Sequence, residues 1–359
     1  MPASMALRLR YSCRALRFNF PARTSRGALT EHVAWYLHLS DDDSGAEGIG
    51  EAAPLAGLSP DHRPDFEARL QRLCQEFNDL GLAEAPANWQ QFVEPEWPAL
   101  RFGLETALLD YQRGGRHQLF DNAFSRGEAG LPINGLVWMG DAAFMQEQIR
   151  KKLAEGYRCL KMKIGGIDFD TELTLLRSIR EVASPAELVL RVDANGAFAL
   201  PDAQRKLEQL SEFQLHSIEQ PIKAGQWPAL AALCRTSPVP IALDEELIGL
   251  TDLGQQRALL EQVQPAYVVL KPTLLGGLAA AGQWIAEATQ RNIGWWMTSA
   301  LESNVGLNAI SQYTAQYPVG DFAQGLGTGQ LYHNNVGSPL QVAGGYLHYT
   351  PLGHWEQLG

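Results

Sequence analysis

Beyond Pro132 the chain keeps one rhythm: short apolar runs alternate with stretches whose apolar residues recur every three or four positions. The runs at 133–139, 159–164, 188–193, 216–220, 241–245, 266–271, 294–299 and 320–325 predict strands, the last one short. Between them, 142–155, 170–182, 202–212, 227–235, 252–263, 277–291 and 304–316 predict amphipathic helices. Eight strands and seven helices, repeating every 25–30 residues, predict a parallel sheet closed into a (β/α)7β barrel of the TIM type over 126–329. An open doubly wound sheet usually shows an early GxGxxG turn, which is absent.

The first 125 residues lack that alternation. Residues 5–18 and 31–40 predict strands, and in the second Val33, Trp35, Leu37 and Leu39 alternate with Ala34, Tyr36 and His38. The polar link 21–27 predicts a mobile loop, and helices follow at 63–80 and 97–112. This block is α+β. Residues 330–359 hold no further barrel unit and are expected to return to it.

Composition is ordinary for a globular protein, 45% hydrophobic and 19% charged, and 359 residues suit one large domain plus a smaller one. A formal charge of −11 argues against a nucleic-acid or anionic-membrane partner, though a local cation can still recruit an anionic substrate. Cys13, Cys74, Cys159 and Cys234 are scattered as reduced thiols would be. Arg8, Arg10, Arg14 and Arg17 precede no apolar segment of signal-peptide kind, and no run is long enough to span a membrane. A soluble, cytoplasmic protein is expected.

Charged residues at strand ends carry the chemistry. The second barrel strand places Lys161 and Lys163 on one face; the third ends at Asp193, the fourth at Glu219, the fifth at Asp244-Glu245-Glu246 and the sixth at Lys271. Strand ends converge on one mouth of a parallel barrel, where each unpartnered ion costs several kcal/mol. Even one such ion on each of these five strands would offset roughly the whole 5–15 kcal/mol stability of a domain. They must therefore pair or hold an ion. Carboxylates on three successive strands, about 4.8 Å apart, can reach one centre. Oxygen-only ligands suit Mg²⁺ or Mn²⁺, and none of the eight histidines has zinc-site spacing. Strands two and six lie across the ring from each other, so Lys163 and Lys271 flank whatever binds between them. Lys161 beside Lys163 is a like-charge pair that pushes one amine toward the neutral form a general base needs. Lys161 is equally a partner for a ligand carboxylate. A dication facing a lysine base fits removal of a proton α to a carboxylate.

Lys161-x-Lys163, Asp193-x-Asn195, Glu219, Asp244 and Lys271 resemble the enolase superfamily, muconate-lactonizing subgroup. The segments 50–55, 132–136, 298–306 and 325–329 look like the o-succinylbenzoate synthase family. The resemblance spans essentially the whole chain and implies that residues 1–125 cap the barrel. It implies dehydration of 2-succinyl-6-hydroxy-2,4-cyclohexadiene-1-carboxylate to o-succinylbenzoate, a lyase step of menaquinone synthesis. Lys163 would then be the base, Lys271 a cation over the opposite face, and Asp193, Glu219 and Asp244 the Mg²⁺ ligands, with Asn195 orienting them. Asp244 fits the family pattern; alternation puts Glu246 on its face, as a solvated or supporting group, and turns Glu245 away.

Other features have two readings. Gly325–Gly329, with Gly327 at its centre, is either an ordinary glycine turn or a loop donating N–H groups to a substrate carboxylate. Ser299 and Ser303 either line a substrate pocket or cap the helix near Asn304. Arg23 and Arg26 either reach over the site or sit in an exposed loop. Trp295 and Trp296 should face opposite layers of the barrel. An N-succinylamino acid racemase or dipeptide epimerase would use the same lysines. Dipeptide epimerases usually carry Asp-x-Asp after the last strand, and here Asp321 stands alone. A non-catalytic barrel would have lost a lysine or an acid, and none is lost.

Overall fold

In the computed structural model, residues 6–24, 27–41 and 45–359 are described. The chain opens with an antiparallel sheet, β1 (Arg8–Thr24), β2 (Gly27–Ser40) and β3 (Glu47–Ala52), in the order β1-β2-β3. Helices α1 (Phe66–Asp79) and α2 (Pro98–Gln112) cover it. Leu37, Leu39, Leu70, Leu73, Leu100 and Leu104 make the core between the layers. Close approach is built in: a side-chain carbon on Gly50 would stand 1.9 Å from the Gly103 carbonyl oxygen of α2.

The expected loop at 21–27 is strand as far as Thr24. Leu16, Phe18 and Ala22 are buried against the barrel's upper edge, which holds the hairpin down. The register shifts between Arg17 and Ala22, a bulge that accommodates Pro21, which has no N–H to donate. Arg23 is exposed on this hairpin, and Arg26 lies outside the described residues.

A short β4 (Leu131–Pro132) leads into the barrel. The alternation is then β5 (Gly135–Val137), α3 (Ala142–Ala154), β6 (Cys159–Lys163), α4 (Phe169–Val182), β7 (Val189–Asp193), α5 (Leu200–Ser211), β8 (Ser217–Glu219) and α6 (Trp227–Thr236). It continues with β9 (Ile241–Leu243), α7 (Leu253–Val263), β10 (Tyr267–Leu270), a one-turn α8 (Pro272–Leu275), α9 (Leu278–Gln290), β11 (Gly294–Met297) and α10 (Asn304–Thr314). The seven strands β5 to β11 pair in sequence order, all parallel. The eighth predicted strand is reduced to two parallel bridges, Ile133 with Gln324 and Thr298 with Gly325, which join the first and seventh strands and close the ring. Gly325 is needed at that seam, since a side-chain carbon there would stand 2.0 Å from Thr298 Oγ1.

After the barrel, Tyr332 bridges to Phe18 and Asn334 accepts from the Arg17 N–H at 2.7 Å. The hairpin β12 (Leu340–Ala343) and β13 (Tyr346–Tyr349) pairs instead with β4. Two buried carboxylates fasten the N-terminal layers to the barrel. Glu51 on β3 accepts from Ser303 N, Ser303 Oγ and Gly306 N at 2.7, 2.6 and 2.7 Å, at the start of α10. Glu105 on α2 accepts from Leu278 N and Ala279 N at 2.5 and 2.9 Å, at the start of α9. Each satisfies N–H groups that a helix leaves open and sits at the positive end of its dipole. Among the described residues no helix is long and apolar enough to cross a membrane.

Candidate metal centre and active site

Parallel register brings the strand-end residues level. Lys163 pairs with Asp193 across β6–β7, and Asp193 with Glu219 across β7–β8; Asp244 follows the last residue of β9. One ligand oxygen from each of Asp193, Glu219 and Asp244 lies within 4.8 Å of the others, and all three residues are buried. Glu219 Oε1 is buried without a hydrogen-bond partner among the described residues. An orphaned carboxylate oxygen in an all-oxygen cluster of this size fits a hard divalent cation.

The three lysines are buried around the acids. Lys161 Nζ donates to Glu219 Oε2 and stands 3.0 Å from Asp193 Oδ2. Lys163 Nζ donates to Asp193 Oδ2 at 2.6 Å and to Asn195 Oδ1 at 2.9 Å. Lys271 Nζ donates to Asp244 Oδ2 at 2.5 Å. In the closed ring β6 and β10 are four strands apart by either route, so Lys163 and the residue following β10, Lys271, come from opposite walls.

Environment separates the three amines. Burial pulls the Lys163 ammonium below its ordinary value; Asp193 opposes this, and the charges of Lys161 and Lys271 add to it. Burial acts on Lys161 too, but Asp193 and Glu219 outweigh it and hold that amine above its ordinary value. Lys271 is likewise held up, by Asp244 and Glu245. Burial also disfavours ionised Asp193, yet the three lysines together keep it well below the usual carboxylate range. Glu219 is pushed up by burial, against the pull of Lys161. Of the three lysines, Lys163 alone is shifted toward the neutral form.

Asn195, in the left-handed region at φ +45°, ties this cluster to the next loop: its N–H donates to Asp193 Oδ1 at 3.0 Å and its Nδ2 to Glu245 Oε1 at 2.9 Å. The alternation expected beyond Asp244 fails here. The strand ends at Leu243 and Glu245–Leu247 form a 3-10 turn, which swings Glu245 toward Asn195. Glu246 is buried rather than solvated; it accepts from Gln220 Nε2 at 3.1 Å and Gly225 N at 2.8 Å.

Above the acids lies a cavity of about 570 Å³, lined by Lys161, Lys163 and Lys271, by Asn134, Ser299, Gly327 and Thr328, and by Phe20, Leu29 and Leu55 of the N-terminal layers. Asn134 Oδ1 and Thr328 Oγ1 are buried without partners among the described residues. Ser303 is elsewhere. Its hydroxyl donates to Glu51 and accepts from Val305 N at 3.2 Å, so it caps α10 and is not part of the cavity wall. Trp296 is buried inside the barrel, whereas Trp295 packs on Tyr317 in the helix layer. Sequence reading overlooked Glu302, fully buried, which accepts from Ser299 Oγ at 2.5 Å, from Ala300 N at 2.9 Å and from Thr273 Oγ1. It holds the loops that follow Lys271 and β11, and its place in the run 298–306 was the available signal.

Comparison with known proteins agrees with this geometry. The family model described as enolase C-terminal domain-like matches residues 144–353. The chain belongs to the enolase superfamily. Within it, the muconate-lactonizing subgroup and o-succinylbenzoate synthases are its kin. An o-succinylbenzoate synthase of Desulfotalea psychrophila (strain LSv54) is 50% identical, over 95% of this chain and 98% of that protein. The crystal structure of MenC from that strain superimposes with a TM-score of 0.85 at 47% identity, covering 96% of this chain and 99% of that one. A hydrophobic dipeptide epimerase of Roseobacter litoralis is 25% identical over 94% of this chain and 98% of its own. That enolase-superfamily barrel matches the expected fold class.

Proposed function

We propose that the chain is an o-succinylbenzoate synthase, a lyase that removes water from 2-succinyl-6-hydroxy-2,4-cyclohexadiene-1-carboxylate. The observation that carries this is one buried acid triad flanked by lysines from opposite walls of the barrel. The 50% identical relative of that activity supports the same reading.

Asp193, Glu219 and Asp244 would hold Mg²⁺, with Mn²⁺ as a substitute. A dication bound there supplies electrostatic stabilisation for the negative charge that builds on a carboxylate when its α-proton leaves. Lys163, the amine shifted toward neutrality, takes the ring proton and returns it to the departing hydroxyl on the same face, so that water leaves and the ring becomes aromatic. Lys271, held protonated, faces the other side of the ring as a cation. Lys161, paired to Glu219 and Asp193, fixes two ligand acids. Asn195 orients Asp193 and Lys163 together. Ser299, Gly327 and the hydrogen-bonding oxygens of Asn134 and Thr328 are offered to the succinyl arm. Residues 1–125, joined by the two ends of the tail 330–359 through Tyr332, Asn334 and Glu356, act as the cap over barrel residues 126–329, while the tail's hairpin β12–β13 stays with the barrel. The separate core of the first sheet, and the cap residues in the cavity wall, support this division. Four free cysteines suit a cytoplasmic setting.

The test follows consumption of the cyclohexadiene carboxylate by absorbance, with and without EDTA, beside exchange of α-hydrogen into D₂O on N-succinylamino acids. Turnover abolished by EDTA and restored by Mg²⁺ is expected. Absent turnover with brisk exchange would replace the synthase by a racemase on the same scaffold. A dipeptide epimerase is disfavoured by position: Asp321 lines a separate cavity and does not line the catalytic one.

A further inference from the structure

The barrel has a second chamber at its other mouth. It measures about 380 Å³ and is lined by Cys159, Val189, Arg191, His216, Phe322 and Tyr346, among others. Arg191 stands two residues before Asp193 on β7 and so faces the same barrel interior one layer lower. Its side chain is 1% exposed. One guanidinium nitrogen donates to the Ala323 carbonyl at 2.7 Å, and the group lies 4.3 Å from the Trp296 ring centre and 4.6 Å from that of Phe322. Its Nε finds no hydrogen-bond partner among the described residues. None of these partners is a carboxylate. A buried guanidinium normally carries a counter-charge, because removing it from water costs several kcal/mol that aromatic faces repay only in part.

The acids at the rim do not fill that role. Glu187 is tied to Ser184 N and Oγ at 2.9 and 2.7 Å, and Asp321 is exposed. Arg158, also exposed at the rim, adds a second cation. The remaining wall is apolar or aromatic, from Pro132, Ile133, Phe322 and Tyr346. We propose that this mouth binds a small carboxylate with an apolar or aromatic body, its charge seated on Arg191. Such a site is distinct from the acid triad and reaches it through β7, the strand that carries both Arg191 and Asp193. A volume of this size is in the usual range for small-ligand sites, roughly 300–1,000 Å³.

The probe is benzoate, titrated calorimetrically into the whole protein in EDTA, with acetate as a charge-only comparison. Three variants locate the binding. Val189→Trp fills the lower mouth and leaves Arg191 in place, Arg191→Met removes the charge, and Lys271→Ala alters the catalytic cavity alone. Benzoate is expected to bind the parent and Lys271→Ala alike, and acetate more weakly. Val189→Trp and Arg191→Met should each weaken benzoate about tenfold or more, which is at least about 1.4 kcal/mol. Should Arg191→Met fail to fold, Val189→Trp still decides. The proposal is overturned if benzoate does not bind the parent, if acetate binds as well as benzoate, or if Val189→Trp binds it normally. Loss of binding in Lys271→Ala also overturns it, by assigning benzoate to the upper cavity.

Discussion

Replacing Glu105 by alanine should loosen the joint between the N-terminal layers and the barrel. The carboxylate is buried and accepts from two N–H groups at the start of α9, at 2.5 and 2.9 Å. Alanine leaves the Leu278 N–H in an interior where an unsatisfied group costs about 1–3 kcal/mol, whereas the N–H of exposed Ala279 can turn to water, so the change should destabilise by about 1–3 kcal/mol. Glutamine keeps an acceptor and should cost less. The two variants also differ in pH response. Burial raises the Glu105 carboxyl from its ordinary 4.5 to about 7, against the two backbone hydrogen bonds. Between those values the folded protein holds a proton that the unfolded chain has lost, so this group's contribution falls as pH rises from about 4.5 to 7. The difference is of order 3 kcal/mol at full expression. Urea unfolding followed by circular dichroism at pH 5 and pH 8 reads both effects. Glu105→Gln should be less destabilised relative to the parent at pH 8 than at pH 5. A loss below about 1 kcal/mol in Glu105→Ala, or an unchanged pH response in Glu105→Gln, would refute the reasoning.

Ser303→Ala should lower stability by about 1–2 kcal/mol through its lost cap, with KM unchanged in steady-state assays; a raised KM would return Ser303 to the substrate wall. Lys163→Ala should reduce turnover by roughly 10²–10⁴-fold while Mg²⁺ binding, read by titration calorimetry, persists. Glu302→Ala should lower kcat and stability together, and Glu302→Gln should recover part of both. His32 is buried and its ring is pushed down to about 4, so its stabilising contribution is present above pH 6.5 and lost as pH falls toward 4. His32→Asn should flatten that acid limb of a stability–pH curve measured by thermal melting.

The barrel was legible because its period is carried by many residues at once: seven amphipathic helices and seven buried strands repeat the same pattern. The eighth strand was the weak point, since closure there rests on two bridges and a glycine rather than on an apolar run. The catalytic set was legible for a different reason. A charged residue at the end of an apolar strand contradicts its local environment, and Lys163, Asp193, Glu219, Asp244 and Lys271 all do so. Asp244-Glu245-Glu246 shows the limit of that reasoning. Two-residue alternation holds only while the backbone stays extended, and the 3-10 turn after Leu243 redirects both glutamates. Ser303 looked equally like wall or cap because either role needs only a hydroxyl near a helix start. Its partner Glu51 lies 252 positions away, beyond any local pattern. Arg191 drew no notice because one arginine inside a strand resembles a solvated charge until the closed ring turns it inward.

The central claim is that Asp193, Glu219 and Asp244 share one divalent cation beneath two lysines of opposite walls. Anomalous diffraction from crystals soaked in Mn²⁺ tests it directly. One strong peak is predicted, within bonding distance of an oxygen from each of the three acids, with Lys163 and Lys271 on opposite sides of the space above it. A peak held by other residues, or none at the triad, would contradict the account.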